Sequence, residues 1–210
     1  MNTDNLSAIA VGVGVVVLIA GFGIYFNSPE LNTAASGDTF VPATIVENGT
    51  ITRIQIDKSS FKMAPELAQI SGYINTDPLT LADLRGKVVL VDFWTYSCIN
   101  CIRTIPYLNA WHEKYADDGL VIVGVHTPEF EFEKDPDNVR AAVKKFGIEY
   151  PVAQDNDKGT WKAYENRYWP RKYLVDNEGY IRYDHIGEGA YAETEKVIQS
   201  LLGERAAYIG

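Results

Sequence analysis

The chain has 210 residues, 46% of them hydrophobic, with 19 Lys and Arg against 28 Asp and Glu for a formal net charge of -9. That acidic balance argues against nucleic-acid binding and against attraction to anionic lipid headgroups. Two cysteines exclude a disulfide framework, and the glycines form no phosphate-cradling fingerprint, so no nucleotide, haem or flavin site is expected.

Residues 6 to 26 contain no charged side chain and are rich in Val, Ile, Ala and Gly. As a helix rising about 1.5 Å per residue, the run is long enough to cross a bilayer core of roughly 30 Å. Residues 1–27 therefore read as a single transmembrane anchor. A cleaved signal peptide, with a small-residue site near Ala34-Ala35, is the alternative. No Lys or Arg precedes the run, and it exceeds the usual apolar core of about 7 to 15 residues, which favours the anchor. The first basic residue is Arg53, so the positive-inside rule has little to weigh in setting orientation.

Residues 28–61 read as a linker with a hairpin extension, polar to about Thr39 and then alternating from Thr44 to Ile56 around Asn48-Gly49. Residues 62–210 suffice for one domain with a full core. The apolar runs 88–94 and 120–125 predict strands of a central sheet. Between them Ile102, Ile105, Leu108, Trp111 and Tyr115 recur at helical spacing, with Pro106 inside the helix. Asp135-Pro136 opens a second helix with Val139, Val143 and Phe146 inward, stopped at Gly147. A strand over 150–153, a helix over 158–167, a hairpin of 171–175 and 180–186, and a helix over 191–202 complete the order. Alternating strands and helices ending in a hairpin predict an α/β fold with a mixed sheet covered on both faces.

The two cysteines stand as Cys98-Ile99-Asn100-Cys101, just after the strand 88–94. A C-x-x-C in that context reads as a redox site. At the N-terminus of the following helix, Cys98 meets unpaired N–H groups that favour an anion and becomes the attacking thiolate. Cys101, one turn on and better shielded, is placed to resolve a mixed disulfide. Half of a zinc site would need further Cys or His ligands, and two inert buried thiols would not need this spacing. Asp92 falls in a strand that should be buried, where the carboxyl pKa rises. It reads either as the base that takes the proton of Cys101 or as a structural cap for nearby backbone.

Leu90-Val91-Asp92-Phe93-Trp94, then Cys98, Cys101 and Pro106, resembles the active-site stretch of the thioredoxin superfamily. The stretch Leu79 to Lys87 resembles the lead-in of the TlpA/ResA-like branch, membrane-tethered thioredoxins working outside the cytoplasm. Trp94 to Cys101, with His126-Thr127-Pro128-Glu129-Phe130 and Tyr168-Trp169-Pro170, resembles the redoxin domain of DipZ-type thiol:disulfide interchange proteins. The resemblance runs from about residue 62 to residue 202. It implies a thioredoxin-like fold, plus the N-terminal transmembrane helix, and a membrane-anchored thiol:disulfide oxidoreductase on the periplasmic or extracellular side. It further implies reduction of cysteines in exported proteins or in cytochromes awaiting haem, with no cofactor beyond the Cys98/Cys101 pair and no metal. DipZ-type proteins carry an electron-transporting membrane domain that these 210 residues do not hold, which implies a separate membrane electron donor.

The same resemblance makes Pro170 a cis-Pro facing the disulfide, with Trp169 backbone groups free to pair with a substrate strand. Trp94, with Tyr96 and Trp169, reads either as an apolar floor for the substrate or as ordinary packing. His126 reads as a polar loop residue, and residues 129–137 as a solvated acidic insertion. Two other functions stay open. A thiol peroxidase would use Thr95, three before Cys98, although Val91 stands where that class has Pro. A copper-delivery protein would add His185 to the thiolates, although its cysteines are usually one residue further apart.

Overall fold

The structure, a computed structural model, describes residues 44–47, 50–53 and 56–209. The apolar run 6–26 lies outside them, and no helix among the described residues is long and apolar enough to cross a membrane. Strands β1 (Thr44–Glu47) and β2 (Thr50–Arg53) pair antiparallel as a small sheet of their own, Glu47 opposite Thr50.

The main sheet has six strands. They are β3 (Gly72–Ile74), β4 (Val88–Trp94), β5 (Leu120–His126), β6 (Val152–Gln154), β7 (Arg171–Val175) and β8 (Ile181–Ile186). Their spatial order is β3-β6-β5-β4-β7-β8, with β4, β5 and β6 parallel and the other pairings antiparallel. Among the described residues four α-helices accompany them: α1 (Ile99–Tyr115), α2 (Pro136–Lys145), α3 (Gly159–Ala163) and α4 (Tyr191–Ile209).

All seven residues of β4 are buried, which explains why the strand reads as a continuous run and not an alternation. Val88, Leu90 and Trp94 face a core built with Leu108 and Trp111 of α1, Val139 of α2 and Ile198 of α4. Val89, Val91 and Phe93 face the other side, where Phe93 meets Trp161, Tyr164 and Tyr173 edge-on at 5.3–5.9 Å. Asp92 keeps the phase of Leu90 and Trp94, and so lies on the α1 side.

Several boundaries differ from the sequence reading. The strand expected at 150–153 is Val152–Gln154. The helix expected over 158–167 stops at Ala163, because Tyr164 caps it and Glu165 turns left-handed with φ 49°. The last helix runs on to Ile209. On α1 the buried stripe takes Cys101 and Thr104, while Ile102 is only half-buried.

The β7–β8 hairpin is held at its turn by Asp176, whose side chain is fully buried. Its carboxylate accepts from the N–H groups of Glu178 and Tyr180, both at 3.0 Å, and pairs with Lys58 at 2.9 Å and Arg182 at 3.1 Å. Removing one member of a buried ion pair typically costs about 3 to 5 kcal/mol. Lys58 and Arg182 would keep Glu178 and Glu204, which limits the loss. Asp176→Ala is therefore expected to lower unfolding free energy by about 3 kcal/mol in urea titration, and a loss below about 1 kcal/mol would rule out this role.

Candidate active site

Strand β4 ends at Trp94, and a three-residue turn delivers Cys98 to the N-cap of α1. Its backbone is extended, φ -73° and ψ 114°, and its Sγ accepts from the Cys101 N–H at 3.3 Å. The Cys98 thiol is half-buried and has a pKa lowered from 9.0 to about 6. The hydrogen bond from the Cys101 thiol is the main cause. Burial opposes it, and the N–H groups of Cys101 and Asn100 add to it. Cys101 is 1% exposed, and burial pushes its thiol far above the ordinary range, helped by its bond to Cys98. Two thiols one helical turn apart thus differ sharply: one is an anion at neutral pH, the other a held proton.

Asp92 lies beneath them, 2% exposed, and burial raises its pKa from 3.8 to about 7. The charge of Lys172 works against that rise, and Cys98 adds to it. Among the described residues Asp92 Oδ1 has no hydrogen-bond partner, so this atom caps no backbone and is free to receive a proton. Across the sheet, Gly124 of β5 stands opposite Asp92. A Cβ there would come within 3.0 Å of Trp94 Nε1 and 3.2 Å of the Tyr150 ring, so glycine is what lets both rings close over this region. Lys172 on β7, fully buried, is absent from the sequence reading. Its phase with Leu174 in the run 171–175 was the signal that it points inward.

The Trp169-Pro170 peptide bond is cis. The Trp169 indole donates to Thr127 O at 3.0 Å, and its ring lies 4.1 Å from that of Trp161. Among the described residues no hydrogen bond takes up the Trp169 backbone N–H or C=O.

Three expectations are corrected. Trp94 offers no floor to a substrate: it is 1% exposed, because β4 is covered on both faces and the ring sits in the core edge-on to His126. His126 is not a loop residue but the last residue of β5, fully buried, with Tyr96 stacked on it at 5.6 Å. Burial lowers its pKa to about 4, against the pull of Glu133, and keeps the imidazole neutral. The acidic segment is not simply solvated either. It folds as a 3-10 turn, Glu131–Lys134, whose Glu133 carboxylate is buried and accepts from Ser97 Oγ and from the N–H groups of Glu129 and Phe130. Burial works to raise the Glu133 pKa, but these bonds hold it below the usual range. The segment is thereby tied to the residue before Cys98, and Tyr96 adds a bond to Phe132 O at 3.0 Å.

Thr95 turns its hydroxyl toward His126 Nε2 at 3.4 Å. His185 on β8 does not join the thiols: no group of three or more His, Cys, Asp or Glu side chains that could hold a metal ion occurs among the described residues.

Comparison with known proteins gives a consistent picture. Residues 62–184 match the model of the AhpC/TSA family. The protein DipZ of Mycobacterium bovis is 51% identical over 144 residues, covering 67% of this chain and 21% of that protein. The chain thus spans about a fifth of the length of that relative. The thiol-disulfide oxidoreductase YkuV of Bacillus subtilis is 32% identical over 141 residues, 67% of this chain and 94% of that protein. The solution structure of a thioredoxin-like protein in its oxidised form superposes with a TM-score of 0.63 at 31% identity, over 69% of this chain and 97% of the other. The fold is thioredoxin-like.

These protonation states set two expected outcomes. Alkylation of Cys98 by iodoacetamide should follow a thiolate with its midpoint near pH 6, moving up by a unit or more in Cys101→Ala; a midpoint near 9 in the native protein contradicts the geometry. Asp92 holds its proton up to about pH 7 when folded but only to about 3.8 when unfolded, so its burial costs stability progressively as pH rises between those values. Asp92→Asn should therefore gain on the native reduced protein in melting temperature from pH 5 to pH 8, and an unchanged difference would show that Asp92 is ionised throughout.

Proposed function

We propose that this chain, which belongs to the AhpC/TSA family, is a thiol:disulfide oxidoreductase that reduces disulfides in other proteins. The observation that carries the reading is the asymmetry of the thiols over a buried carboxyl. Cys98 is reachable and acidic, while Cys101 is shielded and protonated. The Cys98 thiolate attacks a substrate disulfide, and the Cys98–substrate bond forms as the substrate's first sulfur leaves. Cys101 then gives its proton to Asp92 and attacks Cys98 Sγ. The Cys98–Cys101 bond forms, and the substrate leaves as a dithiol carrying two electrons. An extended substrate segment pairs with the Trp169 backbone beside Pro170, which the free groups there favour.

The electrons come from an outside dithiol, and we assign that part to a separate membrane protein. The uncharged run 6–26 supports a membrane anchor. The likeness of residues 79–87 to TlpA/ResA-like proteins supports a redox domain on the periplasmic or extracellular side, acting on exported proteins or on cytochromes awaiting haem. Val91 in place of the proline of the peroxidase pattern, with the Thr95 hydroxyl 3.4 Å from His126 Nε2, speaks for this reading over a thiol peroxidase.

Reduction of a protein disulfide with a chemical dithiol as donor should be lost in Cys98→Ser. Cys101→Ser should instead accumulate a covalent Cys98–substrate adduct, visible by mass and released by reductant. A Cys101→Ser protein that turns over and traps nothing would overturn the two-step scheme. Equilibrium with thiol buffers should place the pair near or below about -250 mV; a value near -120 to -180 mV would make the protein an oxidant or isomerase.

A further inference from the structure

Lys172 faces Asp92 directly in the β4–β7 register. Opposed residues of antiparallel strands carry their side chains on one face, with Cβ atoms about 4.5 to 5.5 Å apart. The adjoining pair, Leu90 and Leu174, obeys this and fills the core under α1. Lys172 therefore lies on the thiol side of the sheet. Its side chain is fully buried, and its Nζ donates to Gly187 O at 3.2 Å, with the Tyr191 ring 6.0 Å away. Lysine at an exposed edge would extend its amine to water; here it does not. A buried ammonium is costly unless an opposite charge answers it, and the carboxylate across the ladder is Asp92.

We propose that Lys172 is the counter-charge that brings the ionised form of Asp92 within reach near neutral pH, where it accepts the proton of Cys101; Lys172 is a positioning residue for the second step of the oxidoreductase reaction proposed above. The charges balance in a way that an Asp92 alone could not provide. Before the step the cluster holds an ammonium, a carboxylate and a thiol. After the proton moves from Cys101 Sγ to Asp92 it holds an ammonium, a carboxylic acid and a thiolate. Both states are neutral overall, whereas without the ammonium each would leave one uncompensated negative charge in the buried site. The thiolate then forms the bond to Cys98 Sγ, the Cys98–substrate bond breaks, and the substrate sulfur leaves with the electron pair. Asp92 afterwards returns its proton to solvent.

Other titratable groups surround the pair and must be counted. Cys98 and Cys101 face it from α1, and Tyr150 packs over Asp92 from the segment before β6. His185 of β8 stands opposite Lys172 in the next rung. Glu188 also acts on Lys172, but it is shared with Arg103 of α1 at 3.5 Å. Tyr191 supplies the start of α4. None of these places a second carboxylate in the buried rung that Lys172 occupies.

The test uses the reduced full chain in mild detergent and an aromatic disulfide, dithiobis(nitrobenzoate), as probe. Its first coloured thiolate reports attack by Cys98 and rises with probe concentration. Its second reports attack by Cys101 on the mixed disulfide and does not. In Lys172→Met the first phase should keep its rate, while the pH midpoint of the second moves up by about one unit and its rate at pH 7 falls about fivefold. In an Asp92→Asn background Lys172→Met should add no further shift. An unchanged midpoint, or an equal shift without Asp92, overturns the proposal. Absence of a fast first phase in the native chain would instead overturn the oxidoreductase reading itself. Should Lys172→Met fail to fold, Lys172→Gln removes the same charge. In the native protein the Lys172 nitrogen resonance must also report an ammonium at the pH where Asp92 loses its proton; a neutral amine there is equally fatal.

Discussion

Burying the Asp92 carboxyl in the centre of β4 imposes the arrangement around it. A charge in that position without compensation costs several kcal/mol, and a continuous apolar strand offers nothing to hydrogen-bond it. The structure answers with Lys172 across the ladder, and α1 stands above with its first turn open at Cys98. Because β4 is paired on both edges and covered on both faces, neither the carboxyl nor the thiol above it can relax toward water. The difference in reactivity between Cys98 and Cys101 is a consequence of depth: the same burial that suppresses ionisation of Cys101 leaves Cys98 at the rim, where the Cys101 thiol and, to a lesser extent, N–H groups stabilise its anion.

The rim is itself held from the side. Glu133 closes a 3-10 turn onto its own N–H groups and reaches Ser97, while Tyr96 lies between His126 and Phe132. The turn carrying the attacking thiol is therefore braced by a segment more than thirty positions later in sequence. A buried carboxylate that receives several hydrogen bonds stays ionised, so the brace is insensitive to pH where Asp92 is not. Phe130 and Phe132 stack on each other at 5.5 Å and stay about half exposed next to this brace.

The parts of this site that could be read from the sequence are those whose neighbours along the chain define them. A C-x-x-C after a seven-residue apolar run locates strand, turn and helix at once, and Asp92 within that run announces its own burial. Lys172, His126 and Glu133 depend instead on pairing between distant segments. Lys172 becomes significant only when β7 is set against β4 in one particular register, since a shift by one residue would turn it to the opposite face. His126 reads as a loop residue until β5 is seen to run one residue further than its apolar stretch. Glu133 sits among acidic neighbours that are solvated, and only its contact with Ser97 separates it from them. Trp94 misled for the converse reason: an aromatic beside a redox pair fits both floor and core, and covering of both faces of β4 decides for core. The short β3 gave no signal because three residues on a sheet edge carry too little pattern.

The balance of forces on Cys98 also bears on direction. A strongly stabilised thiolate favours the reduced protein and makes an oxidant, as with thiols of pKa near about 3.5, whereas thioredoxin itself sits near about 7. Here the helix terminus and the Cys101 thiol stabilise the anion, but burial and the charge of Glu129 oppose them and hold the pKa at about 6. The reduced form thus gains only modestly from its thiolate, close to the thioredoxin end of the range. The depth of Cys101 leaves this balance unchanged, since its thiol stays protonated in the reduced protein. The opposition of burial to the Cys98 thiolate comes from the depth that β4 imposes on the site, and it limits how far the reduced form is favoured.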